Sequence, residues 1–223
     1  MQTASWHKLS EVAGVRIPRT PVATAAVESA RATLPAILLG HANRVFVLAM
    51  LRARRGGLSC DTDALYVSAM YANMGLSPAY SHSAARYELD SADAARHLLH
   101  HYGLNPQLQH DAWLAIALHT SPGIPARVTP LADLLAAAVR TDLTGANLHL
   151  YTERERATLL AAFPRGNGYR HELIGALGRG LAFRPQTTVG TQSADVLERL
   201  DPDYRRVNFC GQILGSPWPD ERA

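Results

Sequence analysis

The stretch LLGHANRVFVLAMLRARRGG, residues 38–57, decides the fold class. Leu38, Val45, Leu48 and Met50 mix with small alanines at helical spacing, and no proline interrupts after Pro35. Arg52, Arg54 and Arg55 then suit the negative end of a helix dipole, and Gly56-Gly57 stops it. A helical signal that opens at Thr24 is therefore expected to run as one helix to about Arg55. His41 lies inside it.

Outward from this segment the same periodicity recurs. Asp61 and Asp63 are good caps for a segment through Leu65, Val67, Ala69 and Met70 to Gly75, and the loop to Tyr80 carries Pro78. Further helices are expected over Ser91–Tyr102, Pro106–His119, Leu131–Leu143, Thr152–Phe163, Tyr169–Phe183 and Val189–Leu200, with a short one near Asn208–Leu214. Ser121, Pro122, Gly123 and Pro125 break the series. No run of alternating β-branched residues stands out. The expectation is an all-α fold: one helical domain of eight or nine helices over residues 23–223, with residues 1–22, which hold Pro18 and Pro21, as an arm lying on it.

Composition narrows the function classes. Of the 223 residues 47% are hydrophobic and 18% charged, which excludes a disordered chain. The most apolar stretch, Val45 to Leu51, soon meets arginines, so no membrane span is expected, and residues 1–10 lack the apolar core of a signal peptide. A cytoplasmic protein is the expectation. The 22 basic residues include one lysine, Lys8, and are scattered, which argues against a nucleic-acid partner and speaks of a GC-rich, bacterial-type coding sequence. Cys60 and Cys210 form neither a disulfide framework nor a zinc spacing.

The ten histidines are the best chemical lead. His7, His149 and His171 stand among polar neighbours and read as surface residues. His97 and His101 share a helix face with His100 beside them, a spacing that can grip a metal but is also common on solvated faces. His41 and His119 differ, because each sits in an apolar helix, and a buried imidazole must satisfy two ring nitrogens. For His119, followed by Thr120 and Ser121, the simplest role is to satisfy carbonyls at a helix C-terminus.

Several motifs recur in a specific order: His41-Ala-Asn-Arg44-Val, Tyr71-Ala72-Asn73-Met-Gly75, Arg86-Tyr-Glu88 with Ala92-Asp93-Ala-Ala-Arg96, Ala117-Leu-His119-Thr-Ser-Pro122, and Asp142-Leu-Thr-Gly145. With Arg184-Pro185, Asn208-Phe-Cys210 and Ser216-Pro217 they span about Ala30 to Pro217. In this order they resemble the HD-domain superfamily, and within it the cyanamide-hydratase-like group. The resemblance implies a helical fold and a divalent metal held by a histidine, a His-Asp pair and a distant aspartate. Here His41 and Asp142 match, whereas the pair is Ala72-Asn73, so two ligands and one negative charge are missing.

Three readings stay open from the residues: a relic fold, a metal-free enzyme in the former metal cavity, and a rebuilt metal site joining His41, Asp142 and His119 with His82, His97 or His101. The metal-free enzyme is the expectation, because an imidazole, an amide and a carboxylate are retained where an idle cavity would fill with apolar side chains. The activity that the resemblance then implies is that of a small-molecule lyase, hydratase or hydrolase-like enzyme, with no cofactor and no bound metal expected. Its catalytic residues would be His41 as general acid or base, Asp142 orienting it, Asn73 holding a polar substrate atom, and His119. Tyr71, Arg44, Arg86 and Glu88 are the substrate-side candidates, with an ion pair that pins the loop after Asn73 as the preferred reading of Arg86 and Glu88. The expected partner is a small molecule in a pocket of a few hundred cubic ångströms, with a homo-oligomer as a further possibility. The alternative is an inactive binding or scaffold protein of the same fold.

Overall fold

Pro35 divides the long N-terminal helical signal into two helices. In the computed structural model, which describes residues 9–218, α1 spans Pro21–Thr33 and α2 spans Ala36–Gly56. Leu34, just before the proline, is extended at φ −90° and ψ 142°, because the pyrrolidine ring disfavours helical backbone in the preceding residue. The expected single helix is corrected accordingly. Thr20 caps α1 by accepting from the Ala23 N–H at 3.3 Å, and Pro21 occupies the first turn, where a missing N–H is harmless. Gly57 stops α2 in the left-handed region at φ 61°, its N–H returning to the carbonyls of Ala53 and Arg54.

The remaining helices follow the caps. They are α3 (Thr62–Tyr71, capped by Asp61), α4 (Tyr87–His101), α5 (Pro106–Leu118, capped by Asn105), α6 (Pro130–Thr144, capped by Thr129), α7 (Glu153–Ala162), α8 (Tyr169–Leu181), α9 (Ser193–Leu200) and α10 (Phe209–Leu214). Thr152 and Glu155 form a capping box at α7. Helix α4 begins a full turn before the expected Ser91. Glu88 and Asp90 in its first turn favour that start, since acidic side chains suit the positive end of the helix. Helix α9 begins later than expected, because Pro185–Thr188 form a separate short turn of 3₁₀ helix.

One hairpin interrupts the helical pattern. β1 (Glu11–Val12) pairs antiparallel with β2 (Val15–Arg16) through Ala13 and Gly14, both at positive φ, as a two-residue hairpin turn demands. Val12 and Val15 are buried, so this part of the expected arm is tied into the core. The first eight residues, with His7, lie outside the described residues.

Helix α2 is the centre of the molecule and packs against α6, α3 and α8, while α4 pairs with α5. By length and hydropathy alone α2 could cross a bilayer, yet 78% of its most apolar window is buried within the fold, which is how a core helix reads. Two glycines let backbones approach beside the site. A Cβ on Gly75 would overlap the Tyr87 carbonyl at the start of α4, and one on Gly180 of α8 would overlap the Leu76 backbone. The Gly75 N–H donates to Ser91 Oγ at 2.8 Å, so the turn that carries Asn73 is clamped to α4.

Candidate active site

His41 and Arg44 stand three residues apart on α2 and therefore share a face, which is turned to α6. There Asp142 meets both. His41 Nδ1 lies 2.6 Å from Asp142 Oδ2, while Arg44 donates from Nε to Oδ1 at 2.7 Å and from Nη2 to Oδ2 at 3.0 Å. Arg44 is anchored further by the Phe163 carbonyl at 3.2 Å and the Tyr169 hydroxyl at 2.5 Å. The Tyr169 hydroxyl also donates to Asp142 Oδ2 at 3.3 Å. Burial alone would raise the Asp142 pKa, but the hydrogen bonds and charges of His41 and Arg44 outweigh it and hold the carboxyl well below the usual carboxylate range.

Because a carboxylate only accepts, His41 Nδ1 carries the proton of that bond in the neutral ring. Nε2 is then a lone pair, and it has no protein partner among the described residues. His41 lines a cavity of about 390 Å³, near the low end of the common range for small-molecule sites. Asn73 and His119 line the same cavity, as do Tyr87 and Thr120. Its apolar wall is built largely from Leu173, Leu177 and Leu181, four apart on one face of α8. Asn73 is buried, and its amide makes no hydrogen bond to the described residues, so a donor and an acceptor are available to a ligand.

The His119 ring is fixed by its Nδ1–H, which donates to the Ile116 carbonyl at 2.6 Å, the carbonyl-satisfying role expected at the end of α5. Its Nε2 lies 3.5 Å from the Tyr87 hydroxyl. Burial pushes the His119 pKa below that of a free imidazole despite the nearby Glu88 carboxylate. Burial likewise raises the Tyr87 phenol well above its ordinary value, keeping it a hydrogen-bond donor. Two imidazoles, a phenol and an amide thus face one cavity, with a carboxylate behind the first imidazole.

None of the four substrate-side candidates lines the cavity of His41, and Arg86 and Glu88 form the expected ion pair. Arg44 is 1% exposed and bound to Asp142, so it orients the site from behind. Glu88 is turned onto Arg86 Nη2 at 2.8 Å and accepts from the Thr120 hydroxyl at 2.6 Å, which ties the start of α4 to the end of α5. Arg86 lines a neighbouring surface cleft, not the cavity of His41. The Tyr71 hydroxyl is turned toward Ser29 of α1, and Tyr71 does not line the cavity. Tyr87, Tyr169 and Arg140 were not singled out from the sequence. The first lies between Arg86 and Glu88 in a quoted motif, and a helix starting at residue 87 turns it away from its neighbours.

The metal that the resemblance implies does not fit this donor set. Ala72 offers no donor and Asn73 a neutral amide, while both Asp142 oxygens already accept from Arg44, whose fixed charge would oppose a dication there. Among the described residues no group of three His, Cys, Asp or Glu side chains could hold a metal ion. His82, His97 and His101 are exposed and outside the cavity, so they do not rebuild a site around His41. No protein-family model and no curated protein matches this chain.

Proposed function

We propose that the chain is a small-molecule lyase, hydratase or hydrolase-like enzyme of the HD-domain type that works in the α2–α6–α8 cavity without a full metal site. The observation that carries this is the His41–Asp142 pair at 2.6 Å, buried, with the second ring nitrogen of His41 left to the cavity. Such a pair supports general acid–base chemistry, because the carboxylate fixes the tautomer and stabilises the imidazolium when Nε2 takes a proton from water or substrate. The same nitrogen returns that proton later in the turnover. Asn73 would donate its amide N–H to a substrate atom that gains negative charge, a task for which a carboxylate would be repulsive. His119 and Tyr87, which line the same cavity, would hold the substrate's polar end.

One observation favours the binding-protein alternative. Phe209, Ile213, Leu214 and Trp218 at the C-terminal end are 72%, 57%, 87% and 84% exposed, an apolar surface that could join a partner or a second copy. Small nitriles, amides and hydroxy acids incubated with the full chain and followed by NMR separate the two. The enzyme reading expects turnover of at least one compound and a loss of roughly 10²- to 10⁴-fold in His41→Gln. No turnover, together with no small molecule raising the melting temperature, would leave the binding-protein reading in its place.

A further inference from the structure

The cavity of His41 is lined by one formally charged side chain, Arg140 of α6, and by no aspartate or glutamate. Arg140 is exposed at the wall shared with the adjoining cleft of Arg52 and Asp133, and its guanidinium makes no ion pair or hydrogen bond among the described residues. Its neighbours differ in this respect. Arg52 pairs with Asp133 at 3.1 Å, Arg86 with Glu88 at 2.8 Å, and Arg44 with Asp142 at 2.7 Å.

The two buried carboxylates near the cavity, Asp142 and Glu88, are thus each met by their own arginine, and Arg165 adds a second cation 3.6 Å from Asp142. The positive charge of Arg140 is left uncompensated. The same cavity is lined by Leu173, Leu177 and Leu181 with Val196 of α9, apolar surface suited to a short hydrocarbon body.

We infer that this cavity takes a small amphipathic monoanion, a carboxylate on a short aliphatic body, with the carboxylate on Arg140 and the body along α8. A guanidinium matches a carboxylate through two parallel N–H donors, and one unpaired arginine suits a single negative charge better than a phosphate dianion. The assignment deepens the proposed function, since it names the substrate class of the same site, and it rests on that reading only for the claim that the bound anion reacts.

Calorimetric titration of the full chain with hexanoate, n-hexanol and n-hexylamine tests it. Hexanoate is expected to bind tightest and hexylamine weakest, with Arg140→Gln lowering hexanoate affinity by roughly 10-fold while leaving hexanol unchanged, and Arg140→Lys retaining part of the preference. Equal binding of hexanoate and hexanol by the parent overturns the anion assignment, as does unchanged hexanoate binding in a folded Arg140→Gln, or no binding of any probe. His41→Gln keeps the two ideas apart, because it should retain hexanoate binding. Full activity in that variant would remove the acid–base reading without touching the anion site.

Discussion

His41 and Asp142, 101 residues apart in the chain, meet through Nδ1 and Oδ2 at 2.6 Å, and the same carboxylate is gripped from its other side by Arg44 of the same helix face. One buried anion therefore orients an imidazole and is itself held by a guanidinium. The electrostatic consequences can be measured one at a time.

Asp142→Asn removes the charge that both partners need and leaves Arg44 buried without its counter-ion. The expected loss of stability is about 3–5 kcal/mol, the usual cost of breaking a buried pair from one side, read from urea denaturation at neutral pH. The parent's Asp142 stays ionised in the fold below the pH at which it protonates in the unfolded chain. Its contribution is thus present above about pH 4 and is lost as the pH falls toward the lowered native pKa. The variant should show a flatter stability profile below pH 4, and an unchanged slope there would contradict the role given to this group.

His119 titrates in a separate window. Burial lowers its native pKa, so the unfolded chain binds a proton that the folded chain refuses, and the stability this confers is present above about pH 6.5 and declines as the pH falls below it. Between pH 7 and 5 the parent should lose stability more steeply than His119→Gln. Comparison of slopes, and not of absolute stabilities, isolates the proton from the cost of the substitution itself.

Gly75→Ala and Gly180→Ala test the close backbone approaches beside the site. Each added Cβ would overlap a backbone carbonyl, that of Tyr87 or of Leu76, which cannot swing away as a side chain can. A loss of at least ~1–3 kcal/mol is expected for each, as for other overpacked positions. Wild-type melting temperatures in both variants would show that the packing around Asn73 is looser than described.

Much of the fold was legible because its signals are local. Asp61, Thr129 and Thr152 cap helices where their hydroxyl or carboxyl precedes an apolar period, and Gly57 and Gly145 stop helices in the left-handed region. The hairpin at Ala13-Gly14 escaped because its strands have two residues each, too short for an alternation to register. The split at Pro35 was open to inspection, yet the periodicity on either side of it outweighed the ring's effect on Leu34. At the site, His41, Asn73, His119 and Asp142 were named from the sequence, and three of them line one cavity with the fourth directly behind. Tyr169 left no comparable trace, since it reaches Arg44 across 125 residues and carries no motif of its own. Arg44 was misplaced for a related reason: a cation beside a candidate base reads as substrate-facing until its carboxylate partner is located.

The donor set also makes a claim about metals. The purified chain should carry far less than one zinc, iron or manganese per molecule, because Asp142 is already saturated and Ala72-Asn73 supplies neither an imidazole nor a charge. Elemental analysis near one metal per chain would contradict this and would make His119 the first additional ligand to substitute.

The central claim is that His41 moves protons in the cavity, and it is tested most directly by the turnover number of His41→Gln against the parent on the compound the NMR screen identifies, with equal melting temperatures establishing that both are folded. The expected result is a fall of roughly 10²- to 10⁴-fold. A folded His41→Gln that turns over at the parental rate contradicts it.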